Sequence, residues 1–293
     1  MTNPLIAEFK TNFEATPFSK IKIADFIPAI KKTITVGLDE INSIINQKEV
    51  PSFKNTIEAI EKCGSLVGRN ATILFNLNSA ETNDELQGIA KTVAPLLSKF
   101  QNDIRLNEDL FKRIQFVYKN EDRKILNTEQ ITLLEKEYKG FVRNGALLDN
   151  KAKIKLRNID MQLAELSLKF GENVLADTQN YQLHIKNKKK LKGLPISSIE
   201  MAESIAKNQN KKGWIFTLDY PSYIPFITYA DDRKLRKEIN LAFSNRGFRE
   251  NENNNTNIIL QIIELRQKRA SLLGYSSHAN FVLEERMAES EEN

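Results

Sequence analysis

Gly213–Gly247, GWIFTLDYPSYIPFITYADDRKLRKEINLAFSNRG, changes its periodicity once, and that change decides the fold class. Trp214, Phe216 and Leu218 alternate with Ile215, Thr217 and Asp219, which is the period of a half-buried strand. Pro221 and Pro225 cannot donate to a ladder, so the strand is expected to stop in a rigid turn that carries Tyr223. From Asp231 onward the period is helical. Leu235, Ile239, Ala242 and Phe243 share a face, Asp231 or Asp232 can cap it, and Gly247 can end it in a left-handed conformation.

Upstream the chain reads as helix almost throughout. The first 24 residues are expected to be extended, with Phe9, Phe13, Pro17 and Phe18 as anchors. Ile27, Ile30, Ile34, Leu38, Ile41 and Ile44 recur at three- and four-residue steps behind Asp25. Ile57, Ile60, Val67, Ala71 and Leu74 continue a second stripe behind an Asn55–Glu58 capping box. Further stripes follow Asn83, Asn107 and Asn127, with a kink expected at Pro95, and the longest runs from Leu156 to Val174. Tyr181–Lys186 alternates again and is the natural partner of Trp214–Leu218, with a short helix between them announced by Ser197 and Glu200.

The expected fold is therefore mostly α: an extended segment (1–24), a helical lobe (25–180), a small β-hairpin-like strand–helix–strand insertion (181–219), and a further helical segment (220–293).

Composition narrows the class. The 41% hydrophobic content of 293 residues can build a real core. No apolar run approaches the ~20 residues that cross a bilayer, and Met1–Lys10 lacks a secretory apolar run, so a soluble protein is expected, cytoplasmic or with its targeting segment removed. The charge balance, net +5, is mild and mostly interleaved. The exception is Asn187–Lys192, NKKKLK, which reads as a solvated turn, with phosphate contact as the alternative. Cys63 is the single cysteine, expected to be a small buried residue and not a nucleophile. Only His184 and His278 could offer imidazole to a metal, and neither has a second histidine one helical turn away. Phosphate-cradling loops, dinucleotide fingerprints and nucleophile elbows are lacking from the sequence.

An ordered set of motifs points to a family. Asn3-Pro4-Leu5, Asn55-Thr56-Ile57, Phe141–Ala146 (FVRNGA), Gly193-Leu194-Pro195, Pro221–Pro225 (PSYIP), Tyr229-Ala230, Ala270–Tyr275 (ASLLGY) and Arg286–Ser290 (RMAES) span nearly the whole chain. In this order they resemble the zinc metallopeptidases that include thimet oligopeptidase, oligopeptidase A and bacterial peptidyl-dipeptidase (dipeptidyl carboxypeptidase). The resemblance covers the amino-terminal part of such enzymes and implies the multi-helix lobe that forms one wall of a peptide channel. The family's His-Glu-x-x-His helix and downstream glutamate do not occur in these residues.

Zinc is thus implied for the parent enzyme, where it would supply both Lewis acid and nucleophile. None is expected on this chain, and no catalytic or metal-binding residue is assigned. Expected partners are short unfolded peptides and the C-terminal catalytic portion, with neither nucleic acid nor a membrane among them. Arg143, Asn144, Tyr223, Asn245 and Arg246 are candidates for the channel wall, and helix capping or bonding to loop carbonyls is the alternative role for each. A helical peptide- or protein-binding module without peptidase activity is the alternative function.

Overall fold

The computed structural model describes residues 3–293 and is mostly helical, with one two-stranded sheet. The chain forms two compact units. Unit 1 comprises the residues up to Leu168 together with Ile263–Asn293, and unit 2 comprises Lys169–Ile262.

Unit 1 begins with Asn3, whose side chain accepts from Leu5 N (2.9 Å) and donates to Asp25 O (2.8 Å). These bonds seat Leu5, which is fully buried against Phe26, Ile30, Leu74 and Val93. Leu5 is the anchor of this segment. Phe13 is wholly exposed and Phe18 half exposed, contrary to expectation, and three short 3-10 turns replace a continuous extended run. Helix α1 (Phe26–Ile45) follows. At Gly37 a Cβ would lie 2.9 Å from the Phe100 ring, so a larger residue there would force that ring to shift.

The next capping box forms earlier than the sequence suggests. Ser52 Oγ accepts from Asn55 N and Asn55 Oδ1 accepts from Ser52 N, so Asn55 is the third residue of the box and not its first. A π turn at Phe53–Ile57 leads into α2 (Glu58–Lys62). The chain breaks at Cys63–Gly64 before α3 (Ser65–Ala80), so the single expected stripe is two helices.

Helices α4 (Asp84–Arg105), α5 (Glu108–Asn120) and α6 (Thr128–Arg143) start where Asn83, Asn107 and Asn127 predict. Each asparagine accepts from the amide three residues on. Phe111 and Phe141 stack at 6.2 Å in a second core with Ile57, Ile114 and Leu134. The long helix is α7 (Asn150–Asn180).

Unit 2 is organised around β1 (Leu183–Ile185) and β2 (Trp214–Phe216), antiparallel in the register Leu183↔Phe216 and Ile185↔Trp214. Helix α8 (Ile196–Asn208) connects them, starting behind Pro195 and not at a Ser197–Glu200 box. Ile215 and Phe216 are both buried, so β2 is covered on both faces.

The PSYIP segment is helical. Thr217 N donates to Ser222 Oγ (3.0 Å), and α9 (Tyr220–Tyr229) carries Pro221 in its first turn, where a missing amide costs nothing. Pro225 lies inside the helix. The burial of Ser222, Tyr223 and Phe226 on one face outweighs the lost hydrogen bond, and the expected rigid turn is therefore helix. Helix α10 (Arg233–Ser244) is capped by Asp232, which accepts from Lys234 N and Leu235 N. Gly247 adopts φ 68°, and helix α11 (Thr256–Leu272) runs from unit 2 back into unit 1. Helix α12 (His278–Leu283) lies near the end, capped by Ser277.

Candidate functional site

Unit 1 contains a cleft of about 390 Å³. Its apolar wall is Phe75 and Leu97, and its polar wall is Gln101 and Arg105 from α4, Asn144 after α6, Asp160 of α7 and Arg269 of α11. A second hollow of about 300 Å³ shares Gln101, Arg105 and Asn144 and extends to Ile41, Ile60 and Cys63.

The charged groups of this cleft are each held by a partner within the protein. Arg269 Nε donates to Asp160 Oδ1 (2.7 Å) and its Nη2 donates to Asn144 Oδ1 (3.0 Å). Arg105 donates to Glu137 (3.0 Å), with its guanidinium 4.7 Å from the Phe141 ring centroid. Cys63 donates its thiol to Ala59 O (3.2 Å). Burial, and then the Glu40 carboxylate, pushes that thiol up to about 11, so it is protonated at neutral pH and is no nucleophile. The cleft presents amide and guanidinium groups, and its described lining residues include no activated attacking group.

The five residues nominated from sequence fall into two sets. In unit 1, Arg143 ends α6 and is 9% exposed. It donates to Tyr275 Oη (3.1 Å) and Phe281 O (2.6 Å) and pairs with Glu284. Tyr275 Oη donates in turn to Glu284 Oε2 (2.7 Å), and Lys139, one turn earlier on α6, also pairs with Glu284 (3.2 Å). Asn144 is the α6 C-cap, donating its side-chain amide to Gly140 O (2.8 Å) while accepting from Arg269.

In unit 2, Tyr223 donates to Asn240 Oδ1 (2.9 Å) and stacks on Phe243 at 4.1 Å. Arg246 lies over the same Phe243 ring at 3.6 Å and donates to Phe243 O and Thr178 Oγ1. Asn245 is the exposed C-cap of α10. The structure thus brings Arg143 together with Asn144, and Tyr223 with Arg246.

Sequence reasoning passed over Asp160 and Arg269. Asp160 had a signal: it lies four residues after Leu156, on the apolar stripe of α7, where a carboxylate needs a partner. Arg269 had none, being one of three cations close together on α11. It also passed over Asp177, 2% exposed in unit 2, which accepts from Gly247 N (2.8 Å), Asn251 Nδ2 (2.9 Å) and Asn253 Nδ2 (3.0 Å). Burial pushes this carboxyl up, but those three donors and the Arg249 charge outweigh it and hold the group below the usual range. The network fixes the asparagine-rich loop, and a Cβ on Gly247 would meet Asn255 Nδ2 at 2.6 Å.

The imidazoles do not make a metal site. His184 Nε2 is 2.8 Å from Lys212 O, which makes that nitrogen a donor. His278 stacks near Phe281 in unit 1, and burial together with Arg266 and Arg269 lowers its pKa, an environment that disfavours added positive charge. Among the described residues no group of three or more His, Cys, Asp or Glu side chains could hold a metal ion. The donor set of these residues does not fit zinc.

The sequence model of Peptidase family M3 matches residues 226–293. Oligopeptidase A of Escherichia coli (strain K12) is 29% identical over 99% of this chain and 42% of its own length. Dipeptidyl carboxypeptidase of the same organism is 28% identical over 99% of the chain and 43% of its own. A thimet-like oligopeptidase of Dictyostelium discoideum is 29% identical over 90% and 38%. The chain spans less than half the length of these relatives. From end to end it therefore matches part of the oligopeptidase A and dipeptidyl carboxypeptidase members of Peptidase family M3.

Proposed function

We propose that this chain is the amino-terminal, peptide-confining portion of a cytoplasmic zinc-dependent oligopeptidase or peptidyl-dipeptidase, a hydrolase of short unfolded peptides. The observation that carries the reading is the end-to-end similarity to enzymes named oligopeptidase A and dipeptidyl carboxypeptidase. In this reading the metal chemistry is supplied by sequence that these 293 residues do not contain. The residues here act by position: helical walls admit an extended peptide and exclude folded protein, and polar groups at their surface orient its backbone.

The unit 1 cleft supports a holding role because its side chains are donors and acceptors fixed by mutual bonds, with apolar Phe75 and Leu97 beside them. Asn144 belongs to that cleft, so of the five nominated residues it is the one we assign first to peptide contact; Arg143, Tyr223, Asn245 and Arg246 remain proposed wall residues.

The test compares this chain with a version extended through the following coding sequence, using a quenched short peptide with and without a chelator. The extended protein is expected to turn over peptide and to lose that activity with the chelator, while the 293-residue chain does neither. Chelator-insensitive or absent turnover by the extended protein would overturn the reading, leaving a helical peptide-binding module.

A further inference from the structure

The stretch Tyr181–Gly213 contains eight lysines and two glutamates, an excess larger than the net +5 of the whole chain. The strand–helix–strand element of unit 2 therefore carries more than the whole surplus positive charge of the protein, and the remainder is slightly acidic.

The fold concentrates this charge further. Pairing of Ile185 with Trp214 brings the next residues together, so that a Cβ on Gly213 would lie 3.3 Å from Lys186 Cα. His184 bonds to Lys212 O beside it. Lys186 and Lys212 thus leave the sheet at one end. Beyond them Lys188–Leu191 forms a tight turn, fixed by Asn187 Oδ1 accepting from Lys189 N (3.0 Å) and by Leu191, which is 3% exposed.

Two carboxylates answer this charge. Asp231 pairs with Lys192 (3.2 Å) and Glu203 with Lys207 (2.9 Å). Lys186, Lys188, Lys189, Lys190 and Lys212 are exposed, and among the described residues none has a carboxylate within ion-pair reach. An open cleft of about 480 Å³ lies between Lys188, Lys189 and Lys192 on its rim and Leu191 and Ile199 on its floor. Ile196, at the start of α8, is 75% exposed.

We propose that this edge of unit 2 docks an acidic peptide segment, one that alternates carboxylates with aliphatic side chains. The lysine rim supplies the counter-charge and the Leu191–Ile199 floor takes an aliphatic group, so both halves of such a segment are met. A nucleic acid would satisfy the rim alone, because no aromatic side chain lines the cleft to stack a base. A bilayer surface would leave the floor of a concave cleft empty. The inference rests on charge and shape in unit 2 and stands independently of the peptidase reading.

The experiment is fluorescence anisotropy with the full chain and four probes: a labelled peptide alternating Glu and Leu, the same peptide with Lys for Glu, an oligothymidylate, and anionic phospholipid vesicles. The Glu–Leu peptide is expected to bind best, and its affinity to fall as salt is raised. Lys188→Ser with Lys189→Ser should weaken it by about tenfold, whereas Lys31→Ser with Lys32→Ser, an exposed pair on α1, should not. Circular dichroism checks that both variants are folded. Equal loss in the two variants would overturn the proposal, as would oligothymidylate or vesicles binding as tightly as the Glu–Leu peptide.

Discussion

The cleft bounded by Arg105, Asp160 and Arg269 and the lysine edge around Lys186–Lys192 use charge in opposite ways. In the first, each charged side chain is committed to a partner within the protein. In the second, five ammonium groups have no carboxylate partner among the described residues, and the backbone beneath them is fixed by Asn187 and Leu191. Committed charges orient neighbouring helices and lose stability when removed. Uncommitted ones add little to stability and are available to something outside the chain.

The contrast can be broken at four points, the largest effect first. Asp177, with three donors and almost no exposure, represents committed charge at its most demanding. Asp177→Asn turns one acceptor oxygen into a donor facing donors and should cost about 2–3 kcal/mol by urea denaturation.

Because the folded carboxyl lies below its unfolded value, its contribution is fully present above about pH 4. It is lost as pH falls through the lower folded value. The variant should accordingly lose less stability than the native chain on acidification across that range. An equally steep acid limb in the variant would show that other groups carry it.

Arg269→Ala should cost about 2 kcal/mol, because it leaves the half-buried Asp160 carboxylate and the Asn144 carbonyl without this partner. Lys188→Ser with Lys189→Ser, by contrast, should move the unfolding midpoint by no more than about 0.5 kcal/mol. A comparable loss at both sites would erase the distinction between the two regions. The smallest effect concerns chemistry: Cys63, raised to about 11, should react with iodoacetamide only slowly at pH 8 and faster as pH approaches that value. Rapid labelling at neutral pH would mean an activated thiol and a different use for the hollow it lines.

Much of this was readable from residues. Asn83, Asn107, Asn127 and the Asp231–Asp232 pair, of which Asp232 is the cap, announced their helices because a cap is a local device that works through the next two or three amides. The pairing of Tyr181–Lys186 with Trp214–Leu218 was legible because alternation marks a strand, although the ladder itself covers only Leu183–Ile185 and Trp214–Phe216.

PSYIP was not legible. Two prolines argue locally against a helix, and only the buried face made by Ser222, Tyr223 and Phe226 reverses that preference. Gly64 likewise split an unbroken apolar stripe through a left-handed turn whose amide donates to Glu40, a contact 24 residues away. Arg269 was hidden because its partners, Asp160 and Asn144, lie 109 and 125 residues upstream. The lysine run was visible as composition, but not its convergence with Lys212, which requires the strand register.

The account depends most on this chain holding peptide without holding the metal. Zinc content of the purified chain, measured by atomic emission after growth in zinc-supplemented medium and exhaustive dialysis, tests that directly. Well below one zinc per chain is predicted, and one tightly retained zinc per chain would contradict it.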